Sequence, residues 1–204
     1  MGERALIDVN AVLRHASSMH RPSTDVSTLP GLAPRPLARL LGVPPKLPFP
    51  KPKPRVIEQA IEIDCPVEKL FRFHRDTRNA PRVSPDVEFL QIEGSFPVKD
   101  GDEILVVIRQ RPIPFPIRWR MKVEAVVLNQ AVVDVAIESP FDYWRHEHRF
   151  ESLGPDRSRL TDRITYIPPF GPVGAIGDKL IVNRMLRKTF AQRQIITKRI
   201  MELT

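Results

Sequence analysis

Residues 56–71 read Val56-Ile-Glu-Gln-Ala-Ile-Glu-Ile63-Asp-Cys-Pro66-Val-Glu-Lys-Leu-Phe71, and the hydrophobic period changes within them. From Val56 to Ile63 the residues alternate, the period-two pattern of a half-buried strand. Beyond Cys65-Pro66 the positions Val67, Leu70, Phe71 and His74 step by three and four, which predicts a helix. Asp64 is the expected N-cap, and Glu68 suits the positive end of the helix dipole.

A second short helix is expected near residues 79–84. Strand-like runs follow at residues 87–92, 103–109, 117–127, 131–138, 143–151 and 157–167. Turn chemistry separates them: Lys99-Asp-Gly101, Pro112/Pro114/Pro116, Asn129-Gln130, Ser139-Pro140 and Gly154-Pro155-Asp156. A long helix is predicted from about residue 172 to residue 203, with apolar positions Ile176, Leu180, Ile181, Met185, Phe190, Ile196 and Ile200. Strand, two helices, six strands and a long helix make an α+β arrangement, a seven-stranded antiparallel sheet with its helices on one face. A curved sheet closing on a long helix leaves a cavity between the two, where small ligands sit.

Upstream the composition changes. Ten of the 22 prolines fall between Pro22 and Pro54, which no globular core tolerates. Residues 1–54 are therefore read as a separate arm and residues 55–204 as the folded domain. Within the arm, Leu6, Val9, Leu13 and Ala16 predict an amphipathic helix over residues 3–20, and residues 44–54 predict extended polyproline II. PxxP spacing occurs there, but a linker explains it more simply than an SH3-type ligand does.

The net charge of +8 belongs to the ends. Residues 1–55 carry nine Lys/Arg against three Asp/Glu, and residues 171–204 carry seven against two, while the stretch between is net negative. Basic ends suit an acidic protein surface, anionic lipid or nucleic acid. The chain has no zinc-finger spacing, no RNP-type aromatic strand and no arginine-rich run, which argues against nucleic acid. The single cysteine, Cys65, excludes an internal disulfide and fits a reducing compartment. No apolar run reaches membrane-spanning length, and MGERALIDVNAVLRH lacks both a signal-peptide pattern and the Ser/Thr that myristoylation requires at position 6. The expected setting is cytoplasmic, or peripheral on the cytoplasmic face of a membrane complex.

Several segments sharpen the fold reading. Ile63-Asp-Cys-Pro66-Val-Glu-Lys-Leu-Phe71, His74-Arg-Asp-Thr-Arg-Asn79, Pro140-Phe-Asp-Tyr-Trp144-Arg-His146-Glu-His148-Arg-Phe150 and Arg159-Leu-Thr-Asp162-Arg-Ile-Thr-Tyr166 with Pro168-Pro-Phe-Gly171 follow one another in order. Together they resemble the START-like, polyketide-cyclase (SRPBCC) superfamily over about residues 55–203. The resemblance implies the helix-grip fold, a curved seven-stranded sheet of order β-α-α-β6-α wrapped on the C-terminal helix. It also implies a cavity for an apolar molecule, in a superfamily that includes lipid, sterol, quinone and polyketide binders and some cyclases. Residues 1–54 have no counterpart in it.

By period two, Trp144, His146, His148 and Phe150 share one strand face, with Tyr143, Arg145, Glu147 and Arg149 on the other. The charged set should face out and the histidines in. On the last strand Leu160, Asp162, Ile164 and Tyr166 share a face, and residues 117–127 offer Ile117, Trp119, Met121 and Val123. The expected ligand-facing set is Trp119, Met121, Trp144, His146, His148, Asp162, Tyr166 and Phe190. No metal is expected, because only one carboxylate aligns with the His-x-His pair and no spaced third histidine follows. No cofactor fingerprint is present. Cys65 is read as structural, and His74 and Asp76 as cap and surface residues.

Three functions stay open. The first is non-enzymatic binding of a small hydrophobic molecule, with residues 1–54 and the basic last helix (Arg184, Arg187, Lys188, Arg193, Lys198, Arg199) docking on a protein partner or membrane-complex surface. The second is an accessory scaffold subunit with a vestigial cavity. The third is a cyclase- or dehydratase-like enzyme using His146 or His148 with Asp162.

Overall fold

Alternation, turn residues and a late helical period resolve into seven strands and three helices among the described residues of a computed structural model. It describes residues 53–203 apart from residues 112, 172–173, 175–176 and 178–180. The arm helix expected over residues 3–20 and most of the polyproline segment lie outside the described residues, as does much of the start of the last helix.

The strands are β1 (Arg55–Ile63), β2 (Val87–Glu93), β3 (Glu103–Gln110), β4 (Ile117–Val127), β5 (Ala131–Glu138), β6 (Tyr143–Gly154) and β7 (Arg157–Ile167). The helices are α1 (Val67–His74), α2 (Ala80–Val83) and α3 (Asn183–Leu203), with a 3-10 turn at Thr77–Asn79 before α2. All neighbours are antiparallel, in the order β1-β7-β6-β5-β4-β3-β2. Register shifts in β2, β4 and at the end of β6 mark bulges, which bend strands and raise local twist. The fold is the expected α+β helix-grip arrangement. Two turns use left-handed backbone where the sequence signals it, at Asn129 (φ 56°) between β4 and β5 and at Gly101 (φ 83°) before β3.

One expected cap is corrected. Helix α1 starts at Val67 with Pro66 as its N-cap and no side-chain cap bond. The Asp64 backbone N–H instead donates to Glu202 Oε1 at 3.1 Å, tying the β1–α1 corner to the end of α3. The same seam runs along β1: Lys198 Nζ donates to the Glu62 carbonyl at 2.8 Å, and Lys69 Nζ on α1 to the Met201 carbonyl at 2.7 Å.

Two apolar clusters hold the layers together. Ile63, Leu70, Phe71, Val98, Ile104, Phe150 and Leu160 anchor one, and Ile57, Trp144, Ile164, Tyr166, Leu186 and Phe190 the other. Each fully buried large side chain contributes on the order of 1.5–3 kcal/mol. Helix α3 buries Leu186, Phe190, Gln194, Thr197 and Met201. Ile181, expected on that face, is exposed. Cys65 is buried beside Ser158, with Sγ 3.7 Å from Oγ, and burial pushes its thiol above the ordinary value. Burial outweighs the Ser158 contact, which favours the thiolate, and so suppresses thiolate formation at neutral pH. The native protein should therefore react with a thiol reagent at only a small fraction of the rate seen in denaturant. Equal rates in the two conditions would place Cys65 at the surface.

Candidate functional site

Between the sheet and α3 lies a cavity of about 230 Å³. Strand β4 turns Trp119, Met121 and Val123 onto its wall, β6 contributes Trp144, His146 and His148, β7 gives Asp162, and α3 gives Phe190. Seven of the eight expected ligand-facing residues therefore line the same cavity. Tyr166 is corrected: it is fully buried away from the cavity, against Phe141 and Trp144, and its hydroxyl accepts from Asn183 Nδ2 at 3.0 Å. Along β7 the cavity ends between Asp162 and Tyr166, so parity alone overextended the site.

Most of the wall is apolar. Trp119 and Trp144 meet edge-on with ring centroids 5.0 Å apart, and Phe190 adds a face near Trp144. At one end the wall turns polar. The β6–β7 register sets His148 opposite Asp162, and the β5–β6 register sets His146 opposite Asp134. His146 Nε2 donates to Asp162 Oδ1 at 3.1 Å. His148 Nδ1 sits 2.7 Å from the same oxygen but lacks a well-aligned hydrogen bond. Gln194 Nε2 donates to Asp162 Oδ2 at 2.7 Å and to the Gln59 carbonyl at 3.0 Å.

Among the wall residues that escaped the sequence reading are Asp134, Arg193, Gln194 and His74. Asp134 Oδ2 is buried without a hydrogen-bond partner among the described residues. Arg193, read from sequence as part of a solvated basic face, turns onto the cavity wall with its guanidinium 5.2 Å from the Phe190 ring centre. His74, read as a cap or surface residue, also faces the cavity; its Nδ1–H donates to the Leu70 carbonyl at 2.9 Å and its ring lies 5.0 Å from that of His148. Asp76 does act as a cap, accepting from the Arg78 N–H at 3.0 Å.

Burial governs the charges here. It lowers His74 to about 3, helped by His148, so this imidazole is neutral. It raises Asp134 to about 6, partly offset by His148 and Arg193. It also lowers His148, with His146 acting in the same direction. Burial would raise Asp162 too, but the two imidazoles outweigh it and hold the carboxyl well below its ordinary range. The end of the cavity thus pairs an ionised, well-bonded carboxylate with a second one that has no hydrogen-bond partner for its buried oxygen among the described residues.

A curved antiparallel sheet gripping a long helix around an apolar cavity defines a START-like ligand-binding fold. The family model for polyketide cyclase / dehydrase and lipid transport matches residues 63–193, and the chain belongs to that family. No curated protein sequence matches it. Among solved structures it is similar to TTHA0849 from Thermus thermophilus, at 15% identity and TM-score 0.58, covering 71% of this chain and 95% of that one. It is similar to the Zhui aromatase/cyclase from Streptomyces sp. R1128, at 10% identity and TM-score 0.55, covering 72% and 96%. It is also similar to norcoclaurine synthase from Thalictrum flavum in complex with dopamine and hydroxybenzaldehyde, at 12% identity and TM-score 0.54, covering 85% and 96%. At these identities the likeness concerns the fold alone. No helix among the described residues is long and apolar enough to cross a membrane.

Proposed function

We propose that the protein binds a small, largely apolar molecule in the cavity between the sheet and α3, with a hydrogen-bond donor on the molecule directed at Asp134, His146 and His148. The observation that carries this reading is the unpartnered, buried Oδ2 of Asp134 at the polar end of an otherwise apolar wall. A buried acceptor without a donor costs roughly 1–3 kcal/mol, and a ligand hydroxyl or amine would remove that cost. The family's polyketide and lipid ligands and the aromatic wall both support a ring-containing molecule.

The arm is part of the same proposal. Residues 1–54 dock on a protein partner, supported by their charge and by the exposed Arg184, Arg187, Lys188 and Arg199 of α3. The scaffold alternative has less support, because a vestigial cavity would be filled by side chains. A cyclase- or dehydratase-like alternative is favoured by one observation, the His146–Asp162 hydrogen bond inside the cavity.

The chain's two tryptophans, Trp119 and Trp144, both line the cavity, so their emission reports its occupant directly. Titration with naphthalene and with 1-naphthol should give saturable changes in tryptophan fluorescence. The naphthol should bind about 10-fold more tightly, the worth of a hydrogen bond to a charged group. Emission that never saturates with either probe would refute binding in the cavity, and equal affinities would refute the donor preference.

A further inference from the structure

The polar end of the cavity gathers several acceptors, with the Arg193 guanidinium of α3 as a nearby cation. Asp162 accepts the hydrogen bond of His146 Nε2–H and faces Nδ1 of His148, leaving Nδ1 of His146 and Nε2 of His148 as lone pairs. Asp134 adds a carboxylate with a buried, unpartnered oxygen. One ligating atom from each of Asp134, His146 and His148 lies within 4.8 Å of the other two. His74, whose Nδ1–H is committed to the Leu70 carbonyl, keeps Nε2 as a further lone pair beside His148. Two imidazoles and a carboxylate on adjacent antiparallel strands form the nitrogen and oxygen donor set that divalent first-row transition metals prefer.

We infer that Asp134, His146 and His148 form a binding site for a divalent transition-metal ion, of the Zn2+ class, at the polar end of the cavity. The outer shell is already in place. Asp162 fixes Nε2 of His146 and lies 2.7 Å from Nδ1 of His148, the carboxylate–histidine arrangement that orients metal ligands, and Gln194 in turn holds Asp162. Donors about 2.0–2.1 Å from a tetrahedral ion lie roughly 3.3 Å from each other, so side-chain movement of about 1–1.5 Å would close the set. Register assembles it: His146 is paired with Asp134 across β5–β6, and Val132 with His148 beside them, so the three ligands occupy neighbouring positions on one face. Arg193 on α3 carries a charge of the same sign as the ion, which weakens a cation site. The remaining coordination positions open into the cavity, where the polar end of a bound molecule would reach the ion.

This inference concerns the same cavity as the ligand reading but does not need the organic ligand, so the two fail separately. The test uses untagged full-length protein carrying His15→Ala and His20→Ala, which leaves His74, His146 and His148 as the only histidines. Equilibrium dialysis should find one Zn2+ per chain, and Co2+ should develop the visible absorption of a nitrogen/oxygen site, with no organic molecule added. Asp134→Asn, nearly isosteric, and His148→Ala should each weaken Zn2+ binding at least ~10-fold, and Asp162→Asn by ~10–100-fold through the lost orientation. The absence of stoichiometric Zn2+ binding at micromolar free metal, or unchanged binding in Asp134→Asn protein that melts as the parent does, would overturn the site. The Co2+ spectrum of the protein with intact ligands decides the matter even if a variant fails to fold.

Discussion

Replacing Glu147 by alanine is expected to destabilise the fold by about 3–5 kcal/mol, the cost of removing one partner from a buried ion network. Its side chain is 2% exposed, on the face of β6 opposite the cavity histidines. Arg145 Nη1 donates to Glu147 Oε2 at 2.7 Å, Arg149 Nε bonds the other oxygen, and Arg145 Nε reaches Glu124 Oε2 at 2.7 Å. Burial would raise the Glu147 carboxyl, but Arg145 and Arg149 overcome it and hold the group ionised below its ordinary value. Alanine leaves Arg145, itself only 12% exposed, with half its partners gone. In a folded unit of this size such a loss lowers the melting temperature by on the order of 10 °C. Glu124→Ala, which keeps the Arg145–Glu147 pair, should cost clearly less. A Glu147→Ala protein melting within a degree of the parent would show that the network contributes nothing.

The same residue marks where sequence reading stops. Alternation along β6 separates Trp144, His146 and His148 from Arg145, Glu147 and Arg149, and the structure keeps that division. Parity cannot distinguish a solvated charged face from one whose charges satisfy each other, so the burial of Glu147 is invisible to it. The strands themselves are legible because turns bracket them: the runs at residues 117–127, 131–138 and 157–167 coincide with β4, β5 and β7. Asp134 escapes for the opposite reason. Val132 and Val133 are buried on the two faces of β5, so that strand carries no inside–outside contrast, and only its register with His146 shows where Asp134 points. Arg193 is misread because the buried stripe of α3 includes the polar Gln194 and Thr197. Scoring apolar residues alone therefore shifts the helix phase toward Ile181 and Met185. In each case the hidden signal is a polar group whose surroundings come from far away in sequence.

Asp162 is where stability and site chemistry meet, and its removal should separate them. The carboxylate accepts from His146 Nε2 and Gln194 Nε2 and lies 2.7 Å from His148 Nδ1, with the side chain 5% exposed. Asp162→Ala strands these donors in a buried pocket. At roughly 1–3 kcal/mol for each unsatisfied group, the expected loss is about 3–5 kcal/mol, read as a fall in the urea midpoint. Asp162→Asn keeps the volume and one acceptor, so the fold should survive with a smaller loss. With its oxygen kept toward Gln194, however, the amide turns its two donors to the position that both imidazoles face. One histidine must then flip or change tautomer, which turns a donor toward Asp134 and the cavity. The fluorescence preference for 1-naphthol over naphthalene should therefore collapse in Asp162→Asn while naphthalene itself still binds in the apolar part of the cavity. If the variant keeps the parent's preference, Asp162 is only a structural acceptor, and the polar end is set by Asp134 and Arg193 instead.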